Sequence, residues 1–454
     1  MESDTRRPSR HRPTGTRRRH QHGLATLVIV MLLFFVLSLT AAYTARNLIF
    51  EQRTATNLYR STQQFDAAEA GLEWATALLN GGLINDNCTP TTDTTKDNFR
   101  QRYLDVNAAT GAVTRRLRGT AAANLTTSYR WAACIFDGTD WKCDCPTNSL
   151  PTQPTVDTLG NTPAFAVRFS NQTARPGLTR IEVNGCNSWD TACLFAFAGV
   201  GGADPTALCR SAMCAVVALH SGMRVPPVAA ITARGAVTVT ALNVTNLDAL
   251  VGGWTIRSGG AIIDPASALV IRTLPGTPGT ASLWATDPAL LTLNPDTPGN
   301  CTPGPCLFSS VFGLRPVSYT TQPAVLEIDC AAAACSAATV NAARAAHPGR
   351  LLWLRGAGGL AMDSAGTAIG SNAEPVVMAI DGPMDITAAA LIHGLVYAGS
   401  ASLSSGEVRG ALVSASTVTA SGSATVTYDG DILGRLQRTT GSFVRLPGGW
   451  RDLP

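Results

Sequence analysis

Charge is scarce in this chain. Only 15% of its 454 residues are Asp, Glu, Lys or Arg, and lysine occurs twice, at Lys96 and Lys142. That excludes a long solvated helical array, which needs charged faces. It also excludes a nucleic-acid surface. The net charge of +4 comes from residues 1–23, where Arg6, Arg7, Arg10, Arg12, Arg17, Arg18 and Arg19 outweigh Glu2 and Asp4; beyond them 28 basic groups face 29 acidic ones, so no basic face remains. Signatures of catalysis are missing as well. There is no HExxH and no GxSxG, and "GGWTIRSGG" (252–260) lacks the phosphate-loop spacing and its lysine. His11, His20 and His22 lie in the N-terminal segment, while His220, His347 and His393 stand apart from one another.

Ala, Gly, Thr and Ser are abundant, a composition suited to a β-rich extracytoplasmic protein with many turns. Twelve cysteines include four close couples: Cys186/Cys193, Cys209/Cys214, Cys301/Cys306 and Cys330/Cys335. Their even number reads as disulfides formed in an oxidising compartment. Zinc would favour two intervening residues and a nearby His, and neither occurs. Cys88, Cys134, Cys143 and Cys145 are left without an obvious pairing.

Residues 24–45 carry no charge. As a helix they reach about 33 Å, enough to cross a bilayer. The arginines before them hold that side in the cytoplasm and place the chain beyond Arg46 in the periplasm or outside. A cleavable secretory signal competes: residues 24–37 have the length of its apolar region, and Thr40-Ala41-Ala42 offers small residues for cleavage. The continuation opposes it. Residues 46–82 contain no Pro, and Gly71 is the one glycine before Gly81-Gly82. Leu48, Phe50, Ala55, Leu58, Tyr59, Phe65, Ala68, Leu72, Ala75 and Leu79 follow the helical period. One helix over 24–80 is expected, about 85 Å long.

A basic leader, Gly23, and then an apolar helix resemble a class III prepilin signal. "EQRTATNLYRSTQQFDAAEAGLE" (51–73) resembles the PilX class of type IV pilus assembly proteins, which are minor pilins; "YDGDILGRL" (428–436) and "LPGGWRD" (446–452) resemble the end of the same class. The resemblance implies cleavage between Gly23 and Leu24 by prepilin peptidase and N-methylation of Leu24. It implies a single-pass inner-membrane protein with a periplasmic body, later carried on the pilus. The implied partners are other minor and major pilins and a tip adhesin, and no cofactor or nucleic acid is involved. One departure matters: the fifth mature position, Glu in major pilins, is Val28. A subunit without that carboxylate cannot neutralise the amine of the subunit ahead, yet its own amine can be neutralised from behind, which implies a tip position. The K-type pseudopilin of type II secretion shares this feature and stays an alternative. So does a membrane-tethered β-helical adhesin or carbohydrate-binding protein.

The body reads as two parts. Residues 81–227 form a Cys-rich, irregular β region with strands at 164–170 and 180–183. Residues 228–454 form a parallel β-solenoid. Its signal is a sixteen-residue step over 376–428, with columns Val376/Ile392/Val408/Ala424, Met378/Gly394/Gly410/Val426 and Ile380/Val396/Leu412/Tyr428. "ITARGAVTVT" (231–240) aligns with "VTASGSATVT" (418–427), so coils begin near 228, and 252–264 supplies another. Residues 274–348, rich in Pro and carrying four Cys, read as an insertion, after which "RLLWLRG" (350–356) resumes the core. Trp450, with Phe443 and Leu446, is a candidate end plug. The overall expectation is an α+β protein: a pilin-type helix, a disulfide-braced β region and a solenoid. The solenoid acids Asp363, Glu374, Asp381, Asp385, Glu407, Asp429 and Asp431 form no column, so no sugar-cleaving enzyme is expected. His393 is expected to face outward, and Trp131, Trp141, Trp189, Trp254 and Trp284 read as scattered core residues.

Overall fold

The computed structural model describes residues 22–117, 130–156, 162–172, 175–195, 213–294, 301 and 305–452. The leader before residue 22 and Cys209 lie outside the described residues. The chain divides into two units, residues 1–62 and 63–454. Helix α1 (His22–Leu79) is continuous for 58 residues. Among the described residues it is one helix long and apolar enough to cross a membrane. Apolar side chains from Leu27 to Tyr59 are exposed along it. The hydroxyls of Thr40, Thr44, Thr54, Thr56 and Thr62 donate to carbonyls four residues back, which satisfies them inside the helix.

In the second unit, residues 63–79 of α1 lie against an antiparallel sheet. Its strands are β1 (Ala132–Phe136), β2 (Trp141–Asp144), β3 (Ala164–Asn171), β4 (Leu178–Cys186), β5 (Met213–Ser221) and β6 (Gly441–Asp452). Their spatial order is β6-β5-β4-β3-β1-β2. Alternation sorts the side chains. Phe165, Val167, Phe169, Ile181, Val183, Ala215 and Val217 share a core with Ala68, Leu72, Ala75 and Leu79 of the helix, while Ala133, Ile135, Ala164, Ala166, Cys186 and Leu194 form a second core. The small residues in "DAAEAG" explain how near the two layers come. A Cβ on Gly71 would sit 2.7 Å from Phe165, and one on Gly185 would strike the Gln64 carbonyl and stand 2.7 Å from the Ala68 nitrogen. Helix backbone therefore rests directly on strand backbone at Gly185.

Residues between β5 and β6 build a curled, all-parallel sheet whose pairings fall into three columns. The first runs Leu326, Leu352, Met378, Val396, Leu412, Ile231, Ile256, Leu283. The second runs Cys335, Leu360, Met384, Ala401, Val418, Val237, Ile262. The third runs Ile369, Ile392, Val408, Val426, Val244, Ile271. Long strands such as Val376–Ile386 and Leu391–Leu403 bend from one column into the next, and the register breaks between Ile380 and Pro383 at such a bend.

Four expectations need correction. The step is not a constant sixteen: Ile392 pairs with Val408, but Val376 pairs with Gly394 and Val408 with Val426. Corners of unequal length account for this, and Gly394 and Gly410 are corner residues at positive φ (148° and 133°) rather than members of an apolar rung. The 231–240 segment does neighbour 418–427, yet Ile231 lies beside Leu412, and Val237 beside Val418. Chain order is also broken, because the 231–284 strands stack beyond 412–428 instead of preceding 351. Residues 285–324 are thus the return connection. Its helix Leu307–Phe312 sets Phe308 and Phe312 against Tyr397, and Phe308 also meets Trp353. Finally, β6 belongs to the antiparallel sheet, so the parallel region ends before Gly441, and Phe443 is a core residue of the helix-bearing sheet rather than a plug. The Trp450 side chain lies outside what is described.

Gly185→Ala should lower the unfolding free energy by about 1–3 kcal/mol through overpacking. Gly177→Ala, where the added atom meets nothing nearer than 4.0 Å, should change it by about 0.5 kcal/mol or less. Urea denaturation of the full chain in detergent reads both.

Candidate functional site

Where α1 ends, the sheets meet. Asn80, 6% exposed, donates its amide to the Phe443 carbonyl (3.0 Å) and accepts from the Phe443 N–H (2.7 Å). The Asn80 carbonyl accepts from Arg350 Nη1 at 2.6 Å, and the same guanidinium donates to the Ala324 and Val325 carbonyls at the edge of the parallel sheet. Burial lowers the Arg350 pKa, but guanidinium basicity keeps it charged. One helix terminus thereby joins the C-terminal strand and the parallel sheet. Arg445 adds contacts to Glu73 (2.6 Å) and Thr76; Glu73 is exposed, so this pair adds little. Arg100 stacks its guanidinium 5.1 Å over the Phe443 ring and donates to the Thr439 carbonyl; burial brings its pKa down to about 10.

His347 closes the same joint. Its ring presses on Gly82, where a Cβ would collide with Nδ1, and that nitrogen is buried without a hydrogen-bond partner. Burial first, and Arg350 second, hold its pKa below the usual histidine range. His393 departs from the outward position expected of it: it is 8% exposed, beside Arg409 in the ladder, and burial, then Arg409, lower its pKa too.

Disulfides brace the surroundings. Cys88 joins Cys145 and Cys134 joins Cys143, which assigns the four left-over thiols. The bond from Cys88 closes a 57-residue loop, a constraint worth about 4 kcal/mol in unfolded-chain entropy. Cys186–Cys193, Cys301–Cys306 and Cys330–Cys335 are also bonded. Cys214 is disulfide-bonded as well. Among the described residues no three His, Cys, Asp or Glu side chains cluster as a metal site. Gly23 and Leu24 fall in the first turn of α1, and Val28 is 47% exposed on it. Of the scattered tryptophans, Trp254 and Trp284 come together, ring centroids 5.5 Å apart, with Arg257 over Trp284 and fixed by Asp287 at 2.6 Å.

The expected end of the helix at residue 80 agrees with the observed end of α1 at Leu79, but nothing local to Asn80 points to Arg350 or His347 as its partners. The available signal was the polar Asn-Gly-Gly ending itself; its partners lie hundreds of residues away.

Residues 22–73 match the PilX N-terminal family model. The match spans part of one helix and marks the chain as type IV pilin-like at its N-terminus. No curated protein matches the chain. Among solved structures, the competence-associated pilin ComZ from Thermus thermophilus is 12% identical, with 86% of this chain and 97% of that chain covered, at a TM-score of 0.20, too loose a superposition to define a shared fold.

Asn80→Ala should destabilise the chain by about 2–4 kcal/mol, because it leaves a buried N–H and C=O of Phe443 unpaired. Amide exchange at Phe443 should accelerate in step, and Asn80→Asp, which keeps the acceptor, should fall between. A second outcome concerns pH. A histidine whose folded pKa is depressed gives stability that is present above its unfolded value of about 6.5 and is lost as pH falls through that value. The urea midpoint should therefore drop between pH 7 and 5.5, and His347→Gln should make that dependence shallower, leaving the share that comes from His393, whose pKa burial lowers in the same direction.

Proposed function

We propose that this protein is a non-enzymatic minor pilin that primes or caps a type IV pilus. The observation that carries the reading is the PilX N-terminal match over 22–73, on one unbroken helix whose last turns are locked into the body, while residues 24–45 carry no charge and the apolar side chains from Leu27 to Tyr59 stay exposed. In this reading prepilin peptidase cuts between Gly23 and Leu24 and the new amine is methylated. The helix holds the chain in the inner membrane, with the basic leader cytoplasmic and the body periplasmic, and then packs among the helices of major and minor pilins. Val28, at the fifth mature position, removes the carboxylate that would neutralise a subunit ahead, and this supports placement at the tip, in reach of a tip adhesin.

The curled parallel sheet is, in the same reading, a three-sided β-solenoid carried as an insertion between β5 and β6. Its support is the three continuous apolar columns and the corner glycines. The disulfides stiffen loops that would meet an oxidising exterior.

Mass spectrometry of the purified chain tests the core of this reading. The expected mature protein begins at N-methylated Leu24, and Gly23→Leu should leave the leader attached and abolish recovery in sheared pili. A start near residue 43 in the native protein, or pili that contain the Gly23→Leu chain, would overturn it.

A further inference from the structure

Two Asn-Gly steps occur in the chain, at 80–81 and 184–185, and both lie where the last turns of α1 meet the antiparallel sheet. Such a step is chemically labile, because glycine carries no Cβ to keep its nitrogen off the neighbouring side chain. The glycine nitrogen attacks the asparagine amide carbon. A C–N bond forms, the bond to the side-chain nitrogen breaks, and that nitrogen leaves as ammonia with the glycine proton. Water then opens the five-membered imide at either carbonyl, giving aspartate or isoaspartate. Water is the only co-reactant.

The fold holds both steps shut. Asn80 is 6% exposed. Its amide nitrogen donates to the Thr76 (3.1 Å) and Phe443 (3.0 Å) carbonyls, and its oxygen accepts from the Phe443 N–H at 2.7 Å. The attacking group is occupied too, since the Gly81 N–H donates to the Leu78 carbonyl at 2.9 Å. Asn184 is 8% exposed. Its amide donates to the Leu194 (3.2 Å) and Cys193 (3.4 Å) carbonyls, in the loop closed by Cys186–Cys193. Gly185 lies in register with Phe165 on β3, and the Gln64 carbonyl and Ala68 nitrogen of α1 cover its Cα. Ring closure would have to pull each amide out of its hydrogen bonds in a space with no room for the motion or for water. Asn148–Ser149, by contrast, lies exposed in a bend.

We infer that Asn80–Gly81 and Asn184–Gly185 are deamidation sites gated by the seating of α1: unreactive while its last turns lie on the sheet, and open to water once they lift. One opening serves both, because the same turns cover Gly185 and end at Asn80. The change is then irreversible. A carboxylate at 80 loses the donor that holds the Phe443 and Thr76 carbonyls and sets a negative charge against them. Isoaspartate at 184 adds a backbone atom where Gly185 leaves no room for a methyl group. A chain whose helix stays off the sheet is thus withdrawn chemically from the pool that can seat it. The inference does not depend on how residue 23 is processed.

The test is peptide mapping by mass spectrometry of the full chain in detergent, held in mildly alkaline buffer and digested under acidic conditions. In native buffer Asn148 should convert while Asn80 and Asn184 stay intact. In urea above the unfolding midpoint the order should reverse, with the two Asn-Gly steps converting first. Leu72→Ala, which removes a buried contact of α1, should speed conversion of both steps about tenfold or more in native buffer. Val408→Ala, also buried but in the parallel sheet, should leave both rates within about twofold of wild type. Circular dichroism checks folding, and Leu72→Val replaces Leu72→Ala if that chain does not fold. Amide exchange reads the irreversibility: after return from urea, unconverted chain should regain protection over residues 63–79, and converted chain should not. Native conversion of Asn80 or Asn184 as fast as Asn148, a folded Leu72 variant that does not speed both steps, equal acceleration by Val408→Ala, or equal protection of converted and unconverted chain would each overturn the proposal.

Discussion

Ser221 and Gly441 face each other across the antiparallel ladder, and the whole parallel sheet has to leave from and return to that one point. Gly441 adopts φ 152°, and a side chain there would run into the His220 carbonyl, so the junction tolerates little besides glycine. An insertion that begins and ends at one place cannot stack its strands in simple chain order. The first column spans eight rungs, which at about 4.8 Å each separates its ends by about 34 Å. A sequential stack would leave the first and last strands at opposite ends. Placing Ile231 beside Leu412 instead brings entry and exit together in the interior of the stack. The geometric burden moves to residues 285–324, which carry the chain from Trp284 at one end to Val325 at the other. The aromatic packing of Phe308 and Phe312 on Trp353 and Tyr397 holds that connection down along the way.

Local features were legible in the sequence for the reason that they are local. The unbroken apolar run and its missing Pro gave α1 nearly to the residue. "AFAVRFS" and "RIEV" fall in observed strands, and "RLLWLRG" contains the strand Leu351–Arg355. The likeness of 231–240 to 418–427 marked two segments that are true neighbours. Alternation cannot carry the identity of the partner. Each rung offers the same β-branched or aliphatic face, so Ile231 is as well matched to Leu352 as to Leu412, and only the junction at Ser221 and Gly441 selects between them. The same limit hid the joint at Asn80. A helix-ending asparagine announces a cap, while its use as a two-point clamp on Phe443 depends on a strand 363 residues away.

That clamp gives the N-terminal and C-terminal stretches a common physical meaning. Both meet at one joint: the end of α1, the first residues of β6 and, through Arg350, the edge of the parallel sheet. The close contact at Gly185 fixes the helix laterally, and Asn80 fixes it along its axis. Both restraints are needed to fix the last turns of α1 on the sheet, since sliding along it would cost only side-chain contacts if the end were free.

The unequal ends of the parallel sheet have their origin in the same junction. With entry and exit inside the stack, neither end is a chain terminus, so neither can be finished by a simple terminal cap. One end is finished by diverting the chain into the helix Ala337–Ala346, which replaces a strand and buries Val340 against the last rungs. At the other end the chain turns through Pro275, Pro278 and a short helical turn at Gly279–Ser282 that leans on Ile271 without covering Ile262 or Leu283. The two edges are thus finished by different means: an amphipathic helix covers one, while at the other the Asp264 carboxylate accepts from the Leu269 N–H and the Gly279–Ser282 turn packs on Ile271, so side chain and turn do there what a helix does at the far end.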